Sequence, residues 1–140
     1  MAIEITKLIK GSINKTLVTR AIETTLRFGK IRGDVSIVFV GDARIKTLNH
    51  HYRKKNTVTD ILSFREAETE MPTKGFVGEL VIDYAQIKRQ AKKFSHSVHF
   101  ELAFIVIHGT LHLLGYEDDT EKGRKLMERL GLELIKKVVH

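Results

Sequence analysis

The sequence predicts an α+β fold, a single domain in which a small mixed β-sheet packs against helices, and three observations predict it. The 140 residues suit one compact domain, and no repeat, low-complexity segment or linker divides residues 1–140. Runs rich in β-branched residues alternate with segments of helical periodicity. One helical segment, 98–114, is apolar on nearly all sides, which is typical of a helix buried inside a domain.

The first half of the chain predicts a helix, a strand and a second helix. Apolar residues recur at helical spacing over 16–29, and Gly29 ends that pattern. Residues 34–40 (DVSIVFV) are rich in β-branched side chains, which favour a strand. We expect Asp42 to cap the short helix that follows, because its carboxylate can accept hydrogen bonds from the first backbone N–H groups of a helix.

The second half adds two strands and two helices to the buried one. The strands are 57–64 (TVTDILSF) and 76–82 (FVGELVI), and the acidic, polar segment 66–75 between them is expected to be a loop. Asp83 begins a helix with a sequence that resembles a capping box. The last helix is expected over about 120–138, where apolar residues again recur at helical spacing.

Two histidines lie near the end of the buried helix. His108 and His112 are four residues apart, so on a helix they share one face and are about one turn apart. Histidine is costly in an apolar helix unless it has a partner, and two imidazoles at this spacing can bind one ion at about 2.0–2.1 Å. Gly115 then favours a left-handed turn that reverses the chain, and Asp118 follows it.

The spacing of these residues matches a known metal-binding arrangement. H-x-x-x-H-x-x-G-x-x-D has the offsets of the metzincin peptidases, in which a helix supplies two metal ligands and the loop after a glycine turn supplies the third. Three protein ligands leave an open position for water, as catalytic sites do. The sequence therefore predicts a zincin-like metal centre of His108, His112 and Asp118. In the alternative, both histidines are hydrogen-bonded core residues and Asp118 caps the last helix.

Two departures from the peptidase pattern bear on the chemistry. Gly109 stands where a zincin has its glutamate base, and glycine cannot take a proton from water, so the sequence argues against a zincin-type protease. The third ligand is Asp118 rather than histidine. Carboxylate is a harder donor than imidazole, so zinc is expected but nickel, manganese or another divalent metal could compete.

Glu101 lies on the same helical stripe as the two histidines. It precedes His108 by about 10 Å along the helix axis, which is too far for a direct metal ligand. The sequence leaves two interpretations open. Its carboxylate either faces the site and orients a neighbouring group, or forms an ion pair with a nearby lysine or arginine.

The amino-acid composition limits the kinds of binding partner and the cellular compartment that we expect. Lys and Arg number 24 against 17 acidic residues, a net charge of +7, which favours a polyanionic partner such as nucleic acid, although many small basic proteins are merely basic. The absence of cysteine excludes disulfides, thiolate zinc sites and a cysteine nucleophile. The N-terminus has no signal-peptide pattern, and no apolar run approaches the roughly 18 residues of a membrane span. We expect a cytoplasmic protein without a membrane partner or a nucleotide cofactor.

Four stretches carry a family resemblance. HGTLHLLGYED (108–118) resembles the signature H-G-x-L-H-L-x-G-Y-D-H of the YbeY family of endoribonucleases, also called rRNA maturation factors. LNHHYRKKNTVTDILSF (48–64) resembles the family's LNxxYRxxxxxTDVLSF. GELVI (78–82) resembles GDIVI, and SHSVHFELAFIVIHG (95–109) resembles GHSxxxELAxLxxHG. The resemblance implies a single-domain metalloprotein that cleaves single-stranded RNA, matures the 3′ end of the rRNA of the small ribosomal subunit and serves ribosome quality control.

The resemblance also implies a set of site residues. It implies a zinc ion held by His108, His112 and the residue at 118, where the family has histidine and this chain has Asp118. The family's aspartate before that ligand is Glu117 here, and Asp119 is a substitute candidate for the third ligand. These exchanges keep the kind of site but leave the metal open.

Basic residues before the second strand are candidates for substrate binding. Arg53 matches the family's arginine after tyrosine and is interpreted as a phosphate clamp facing the metal, since its guanidinium offers bidentate contacts. The alternative is a structural ion pair, for example with Asp60. Lys54 and Lys55 extend the basic patch, unless they are simply a solvated loop. Arg53 and the ligand His112 are thus the predicted catalytic residues.

The predicted reaction is metal-assisted phosphodiester hydrolysis. The metal polarises a phosphoryl oxygen and lowers the pKa of its bound water, and Arg53 stabilises the charge that develops. The general base is open between Glu117, Asp119 and the 2′-hydroxyl of RNA. Three rivals remain at this point: a metallopeptidase, which Gly109 disfavours, a non-catalytic ribosome-assembly factor with a structural metal, and a hydrolase of small molecules.

Overall fold

The computed structural model describes residues 2–68 and 75–139, which form one four-stranded sheet and five α-helices. Residues 69–74, most of the loop expected at 66–75, lie outside the described residues. None of the helices in these two ranges is both long enough and apolar enough to cross a membrane. The elements in chain order are β1 (Ile3–Lys7), α1 (Lys15–Phe28), β2 (Asp34–Val40), α2 (Asp42–Arg53), β3 (Ile61–Arg65), a 3₁₀ turn (Glu66–Glu68), β4 (Phe76–Asp83), α3 (Tyr84–Lys93), α4 (Val98–Leu113) and α5 (Glu121–Ile135).

The sheet is mixed, as predicted, with the strand order β1-β2-β4-β3. β2 pairs in parallel with β1 and β4, whereas β3 runs antiparallel to β4 at the sheet edge. The edge strand β1 is not predicted above. Ile3 and Ile5 do alternate with polar residues as in a half-exposed strand, but the alternation includes only these two apolar residues. The other edge, β3, borders the site described below.

Two hydrophobic cores cover the two faces of this sheet. The larger lies between one face and the helices α1, α4 and α5, and includes the fully buried Ile22, Ile37, Leu80 and Leu111. The smaller lies under α2 on the opposite face. Because β3 is an edge strand, helices from both faces can meet beside it.

Two details before the buried helix differ from expectation. The N-cap of α2 is Gly41, which makes no side-chain cap, and Asp42 is instead the first helical residue, with its carboxylate 2.8 Å from Arg89. The strand expected at 57–64 begins only at Ile61. The preceding residues form a loop because Ile61 lies opposite Ile82 and β4 ends one residue later, where α3 begins, so residues 57–59 have no strand to pair with. The side-chain amide of the buried Asn49 donates to the Thr57 carbonyl in this loop at 3.0 Å.

The helix begun by Asp83 has half of a capping box. The Asp83 carboxylate accepts hydrogen bonds from the backbone N–H groups of Ala85 and Gln86, at 3.1 and 3.4 Å. The Gln86 side chain does not return to the Asp83 backbone, whose N–H donates to the Asp60 carbonyl at 2.9 Å. The cap is therefore confirmed in one direction only.

α4 is the central helix, as its uniform apolarity predicts. It begins after Ser97, whose hydroxyl accepts from the Phe100 N–H at 3.0 Å, and it packs against α1, α3, α5, β3 and β4. It ends in a Schellman motif: Gly115, with φ of 103°, donates to the His112 carbonyl at 3.0 Å, and the next N–H, of Tyr116, donates to Leu111 at 3.1 Å. The glycine turn predicted after α4 is confirmed.

Candidate metal centre

Two histidines of α4 and one aspartate of the following loop converge on one point. The Oδ2 atom of Asp118 lies 3.3 Å from Nε2 of His108 and 3.4 Å from Nε2 of His112. One ligand atom from each of the three residues lies within 4.8 Å of the other two. A divalent cation at about 2.0–2.2 Å from each nitrogen and oxygen fits such a group. The structure thus brings together the three residues that the spacing singled out.

The turn after α4 orients the second histidine. Nδ1 of His112 lies 2.9 Å from the carbonyl oxygen of Tyr116, so the ring donates from Nδ1 and keeps the lone pair on Nε2. A metal-binding imidazole commonly has its other nitrogen held in this way. Because Gly115 sets the position of Tyr116, the glycine turn both reverses the chain and aims His112 at the site.

Burial prepares the first histidine for metal binding. The side chains of His108 and His112 are only 29% and 23% exposed. Burial is the largest influence that lowers the pKa of His108, and the neighbouring His112 adds to it, while Asp118 opposes it. A metal binds the neutral imidazole, so a lowered pKa keeps His108 in its ligand form at neutral pH.

The interpretation of Asp118 as a helix cap is wrong. The N-cap of α5 is Thr120, whose hydroxyl accepts from the Gly123 N–H at 3.0 Å. A side chain at Gly123 would collide with the Glu117 carbonyl, so α5 begins in tight contact with the loop that carries Asp118. The aspartate is thereby left to face the two histidines.

Gly109 lies between the histidines and faces the sheet. A Cβ atom there would lie 3.1 Å from Leu80 Cδ2 and 3.1 Å from Ser63 Oγ, and in collision with Ile61. α4 therefore approaches β3 and β4 more closely than any residue with a side chain would allow. The glutamate that a zincin peptidase has at this position finds no room.

The three candidate ligands lie in a cleft of about 850 Å³ that follows the edge strand β3. On one side stands the C-terminal half of α4 with the loop after it, and on the other stand the end of α2 and the 57–60 loop. Besides the candidate ligands, charged side chains line part of the cleft, and apolar and uncharged polar side chains line the rest. The charged ones are Arg53, Lys55, Asp60, Arg65, Glu68 and Glu117.

Arg53 reaches this cleft from the last turn of α2. Its Nη2 donates to the Ser63 carbonyl on the free edge of β3 at 2.8 Å, and its guanidinium lies 5.1 Å from the centre of the Phe64 ring. Its Nη1 is 3.6 Å from Oε2 of Glu68. The ion pair named as the alternative is therefore present, but its partner is Glu68 rather than Asp60, whose carboxylate accepts from Gln90 at 3.1 Å.

The other predicted site residues divide between the cleft and its surroundings. Lys55 lines the cleft, whereas Lys54 is the left-handed C-cap of α2, with φ of 61°, and is not among the lining residues. Glu117 lines the cleft and is engaged by Arg65 at 3.1 Å. Within residues 2–68 and 75–139, Asp119 is not part of the group that could hold a metal ion.

Arg65 is a cleft residue that the sequence reasoning missed. It ends β3, and its Nη2 lies 3.1 Å from Oε1 of Glu117, the residue before the candidate ligand Asp118. The alternation of side chains along β3 could have indicated that Arg65 faces the cleft. Ile61 and Ser63 face Gly109 of α4, and Arg65 continues the same face of the strand.

Among the described residues Glu101 contacts neighbouring polar side chains and forms no ion pair with a lysine or arginine. Its buried carboxylate lies 3.0 Å from Nδ1 of His96 and accepts from the Gln90 amide at 3.1 Å. The same amide nitrogen is 3.1 Å from Asp60, a residue of the cleft wall. Glu101 is thus paired with a histidine rather than a lysine or arginine, and a hydrogen-bonded chain joins it to the cleft.

Comparisons with known proteins show which family this chain resembles. The sequence model of the family described as endoribonuclease YbeY matches residues 2–139. The chain is 40% identical over 126 residues to the endoribonuclease YbeY of Pelotomaculum thermopropionicum, covering 85% of this chain and 82% of that one. It is 39% identical over 135 residues to the endoribonuclease YbeY of Carboxydothermus hydrogenoformans, covering 89% and 93%.

A solved structure has a similar fold. The solution structure of a Thermotoga maritima protein superposes with a TM-score of 0.61, over 96% of this chain and 90% of that one. At 23% sequence identity this likeness concerns the fold alone.

Proposed function

The chain belongs to the YbeY endoribonuclease family, and we propose that it is a metal-dependent endoribonuclease that cleaves single-stranded RNA. One observation carries the proposal. The ligand atoms of His108, His112 and Asp118 converge beside the edge of β3, in a cleft that Arg53 also lines. A metal site and a guanidinium that share one cleft are two components that support phosphodiester hydrolysis.

The three converging residues are proposed to hold one divalent cation. Two imidazoles and one carboxylate form a donor set that suits Zn²⁺, although a carboxylate also suits harder metals. A bound cation supplies Lewis-acid polarisation of a phosphoryl oxygen and a water of lowered pKa. The lowered pKa of His108 and the hydrogen bond from His112 to Tyr116 keep both Nε2 atoms available for it.

Arg53 is proposed to bind the phosphate at which the chain is cut. The Ser63 carbonyl and the Phe64 ring hold its guanidinium at the cleft wall, and 37% of its side chain is exposed. A guanidinium fixed in this way offers N–H donors to phosphate oxygens and stabilises the negative charge that increases in the transition state. Lys55, on the same wall, adds a positive charge for the RNA backbone.

The proton acceptor is proposed to be a carboxylate of the cleft rather than a residue of α4. Gly109 faces the sheet and has no side chain to offer. Glu117 lines the cleft next to Asp118 and is a candidate to accept a proton from an attacking water. In the other route the 2′-hydroxyl of RNA attacks the phosphorus in place of water, gives its proton to the same carboxylate and expels the 5′-oxygen of the next nucleotide. The choice between the two routes decides whether DNA of the same sequence is also cut.

The biological substrate is proposed from family membership. Relatives named endoribonuclease YbeY support RNA as the substrate, and the net charge of +7 suits it. The resemblance noted above leads us to propose maturation of the 3′ end of small-subunit rRNA, ribosome quality control and the small ribosomal subunit as a partner. We propose that this RNA processing takes place in the cytoplasm, where ribosomes are assembled.

The proposal is tested with purified protein, zinc and an end-labelled single-stranded RNA. His112→Ala and Arg53→Ala should each lower the cleavage rate by about 10²-fold or more, since each removes a group that stabilises the transition state. Lys125→Ala, at an exposed residue of α5 outside the cleft, should cleave like the wild type. Equal cleavage by all four proteins would reveal a contaminating nuclease and contradict the proposal.

Binding measurements on the same proteins separate an enzyme from an assembly factor. If wild-type protein binds small subunits in a salt-dependent manner but cuts no RNA with any divalent metal, the metal is structural and the enzymatic proposal fails. Metal content, measured by mass spectrometry, should fall in His108→Ala and in Asp118→Ala. If Asp118→Ala keeps its metal while His108→Ala loses it, Asp118 is not the third ligand and Asp119 becomes the candidate.

A further inference from the structure

Two arginines from opposite faces of the edge strand meet at one carboxylate. Arg53 comes from α2 and Arg65 ends β3, and both line the cleft of the metal site. Between them lies Glu68, whose Oε2 is 3.6 Å from Arg53 Nη1 and whose Oε1 is 3.8 Å from Arg65 Nε. The Arg65 backbone N–H also donates to Oε1 at 3.1 Å. The carboxylate therefore occupies an anion position formed by two guanidinium groups and one N–H.

The contacts that hold Glu68 are weak enough to be exchanged. The side chains of Arg53, Arg65 and Glu68 are 37%, 46% and 40% exposed, and both ion-pair distances exceed those of a direct charged hydrogen bond. Ion pairs in such surroundings contribute little, because water and salt screen them. A phosphate offers the same negative charge with more acceptor oxygens, and arginine binds it in a bidentate manner.

Arg65 also extends toward the metal centre. Its Nη2 lies 3.1 Å from Oε1 of Glu117, the residue next to Asp118, so the guanidinium bridges the Glu68 position and the metal-binding loop. A polynucleotide that places one phosphate at the metal must place the next phosphate a few ångströms along the cleft. Among the described residues that line the cleft, the arginines are Arg53 and Arg65. Arg65 is therefore available for the neighbouring phosphate.

We infer that Arg65 binds a second phosphate of the RNA, next to the one that is cut, and that the Glu68 carboxylate occupies that phosphate position in the free protein. This inference rests on the proposed function and specifies its substrate contacts. It makes the cleft selective for a polynucleotide over a lone phosphate ester, because two phosphates are bound at once. It also makes Glu68 a competitor that the RNA displaces.

The test compares Arg65→Gln, Arg65→Lys and Glu68→Gln, with Arg20→Gln as a matched control outside the cleft. Binding of a labelled single-stranded 2′-O-methyl RNA to the zinc-loaded proteins is measured by fluorescence anisotropy over a range of salt. Arg65→Gln should weaken binding about tenfold and lower the slope of log Kd against log salt by about 0.7. Arg65→Lys should recover part of the affinity, and Glu68→Gln should bind several-fold more tightly than wild type.

A second variant distinguishes phosphate binding from a mere structural role for Arg65. If Arg65 serves only to position the metal loop through Glu117, then Glu117→Gln should copy Arg65→Gln, and both should lose metal. Phosphate binding instead predicts that Glu117→Gln binds RNA at least as well as wild type, and that Arg65→Gln keeps its metal. Thermal melting checks that each variant is folded.

The outcomes separate this inference from the proposed function. Wild-type affinity and salt slope in Arg65→Gln would overturn the role of Arg65, even if RNA is cleaved as proposed. Unchanged or weaker RNA binding by Glu68→Gln would overturn the displacement of Glu68. Loss of cleavage in every protein, with the binding pattern as predicted, would overturn the enzymatic proposal and leave the phosphate position intact.

Discussion

The two walls of the cleft differ in origin and in burial. The helix wall, consisting of His108, His112 and Asp118, comes from one continuous segment of the chain, and its histidines are mostly buried. The strand wall, consisting of Arg53, Arg65 and Glu68, is assembled from α2, β3 and the 3₁₀ turn. Its three side chains are each more than one third exposed.

The two walls are suited to different tasks. A metal site needs ligands fixed to within a few tenths of an ångström, and a buried helix with a glycine turn fixes them through the backbone. A polyanion slides and is released, so its contacts are better made by exposed side chains with exchangeable partners. We therefore expect changes at the helix wall to alter stability and metal binding, and changes at the strand wall to alter RNA affinity.

The largest effect is expected from a substitution on the side of α4 that faces the sheet, behind the metal ligands. Gly109→Glu would insert a carboxylate between α4 and the sheet, against Ile61, Leu80 and Ser63. We expect it to lower the free energy of unfolding by about 4 kcal/mol or more, or to prevent folding, because a buried unpaired charge adds to the steric collision. Chemical denaturation measures it, with Leu132→Glu on the exposed face of α5 as the control.

Either outcome of this substitution is informative. A stable Gly109→Glu protein with the melting temperature of wild type would contradict the close approach of α4 to β3 and β4. If that stable protein also released peptides from casein, the missing glutamate would be the one feature that separates this site from a peptidase.

A smaller effect is expected at the turn that joins the ligands. Gly115 has φ of 103°, and a Cβ there would meet nothing closer than Arg65 Nη1 at 3.7 Å, so a side chain costs backbone strain without collision. Gly115→Ala should destabilise the fold by about 1–2 kcal/mol. It should also weaken zinc binding, because the turn positions Tyr116 and Asp118.

Asparagine at the same position is the matched control. It tolerates positive φ better than alanine, so Gly115→Asn should lie between alanine and wild type in both melting temperature and zinc affinity. Calorimetric titration with zinc provides the second measurement. Equal zinc affinity in all three proteins would show that the conformation of this turn does not affect metal binding.

The smallest effect concerns a buried carboxyl outside both walls. Asp83 is fully buried at the end of β4, and burial, followed by the neighbouring Asp42, raises its pKa to about 6. A folded-state pKa above the usual 3.8 means that protonation stabilises the fold, and that this stability is lost as the pH rises through about 6. Asp83→Asn keeps the acceptor that caps α3 and removes the charge.

Asp83→Asn should therefore be more stable than wild type at pH 8, by about 1–2 kcal/mol, and equal to it near pH 4. Thermal melting at the two pH values measures the difference, with the exposed Asp34→Asn as the control. The metal affinity should not change. A difference that is the same at both pH values would contradict the raised pKa of Asp83.

The same contrast between the walls decides what the sequence could predict. The helix wall was predictable because its signal is local: apolar residues all round α4, two histidines four apart, and a glycine three residues later. The mixed sheet followed from β-branched runs. β1 was missed because only two apolar residues mark it. The early start given to β3 was wrong because its partner β4 ends at Asp83, opposite the beginning of β3, and no local pattern reports that pairing.

The strand wall could be predicted only in part. Arg53 was found through the family resemblance, but its partner Glu68 was not, since the two meet only when α2 and the turn after β3 are both folded. To predict that Arg65 lines the cleft, one must know that β3 is an edge strand and which of its faces packs against α4. Long-range geometry of this kind carries little trace in the order of residue types.

The metal dependence of the enzyme is measured as RNA cleavage by chelator-treated protein to which zinc is returned stepwise. We expect the chelator to abolish cleavage of single-stranded RNA by the wild type, and activity to return and level off at one zinc ion per chain. Asp118→Ala should not recover at that zinc level, while Asp118→His, which keeps a third ligand, should recover in part. Cleavage that is indifferent to the chelator, or that is equal in Asp118→Ala, would contradict a metal-dependent endoribonuclease centred on His108, His112 and Asp118.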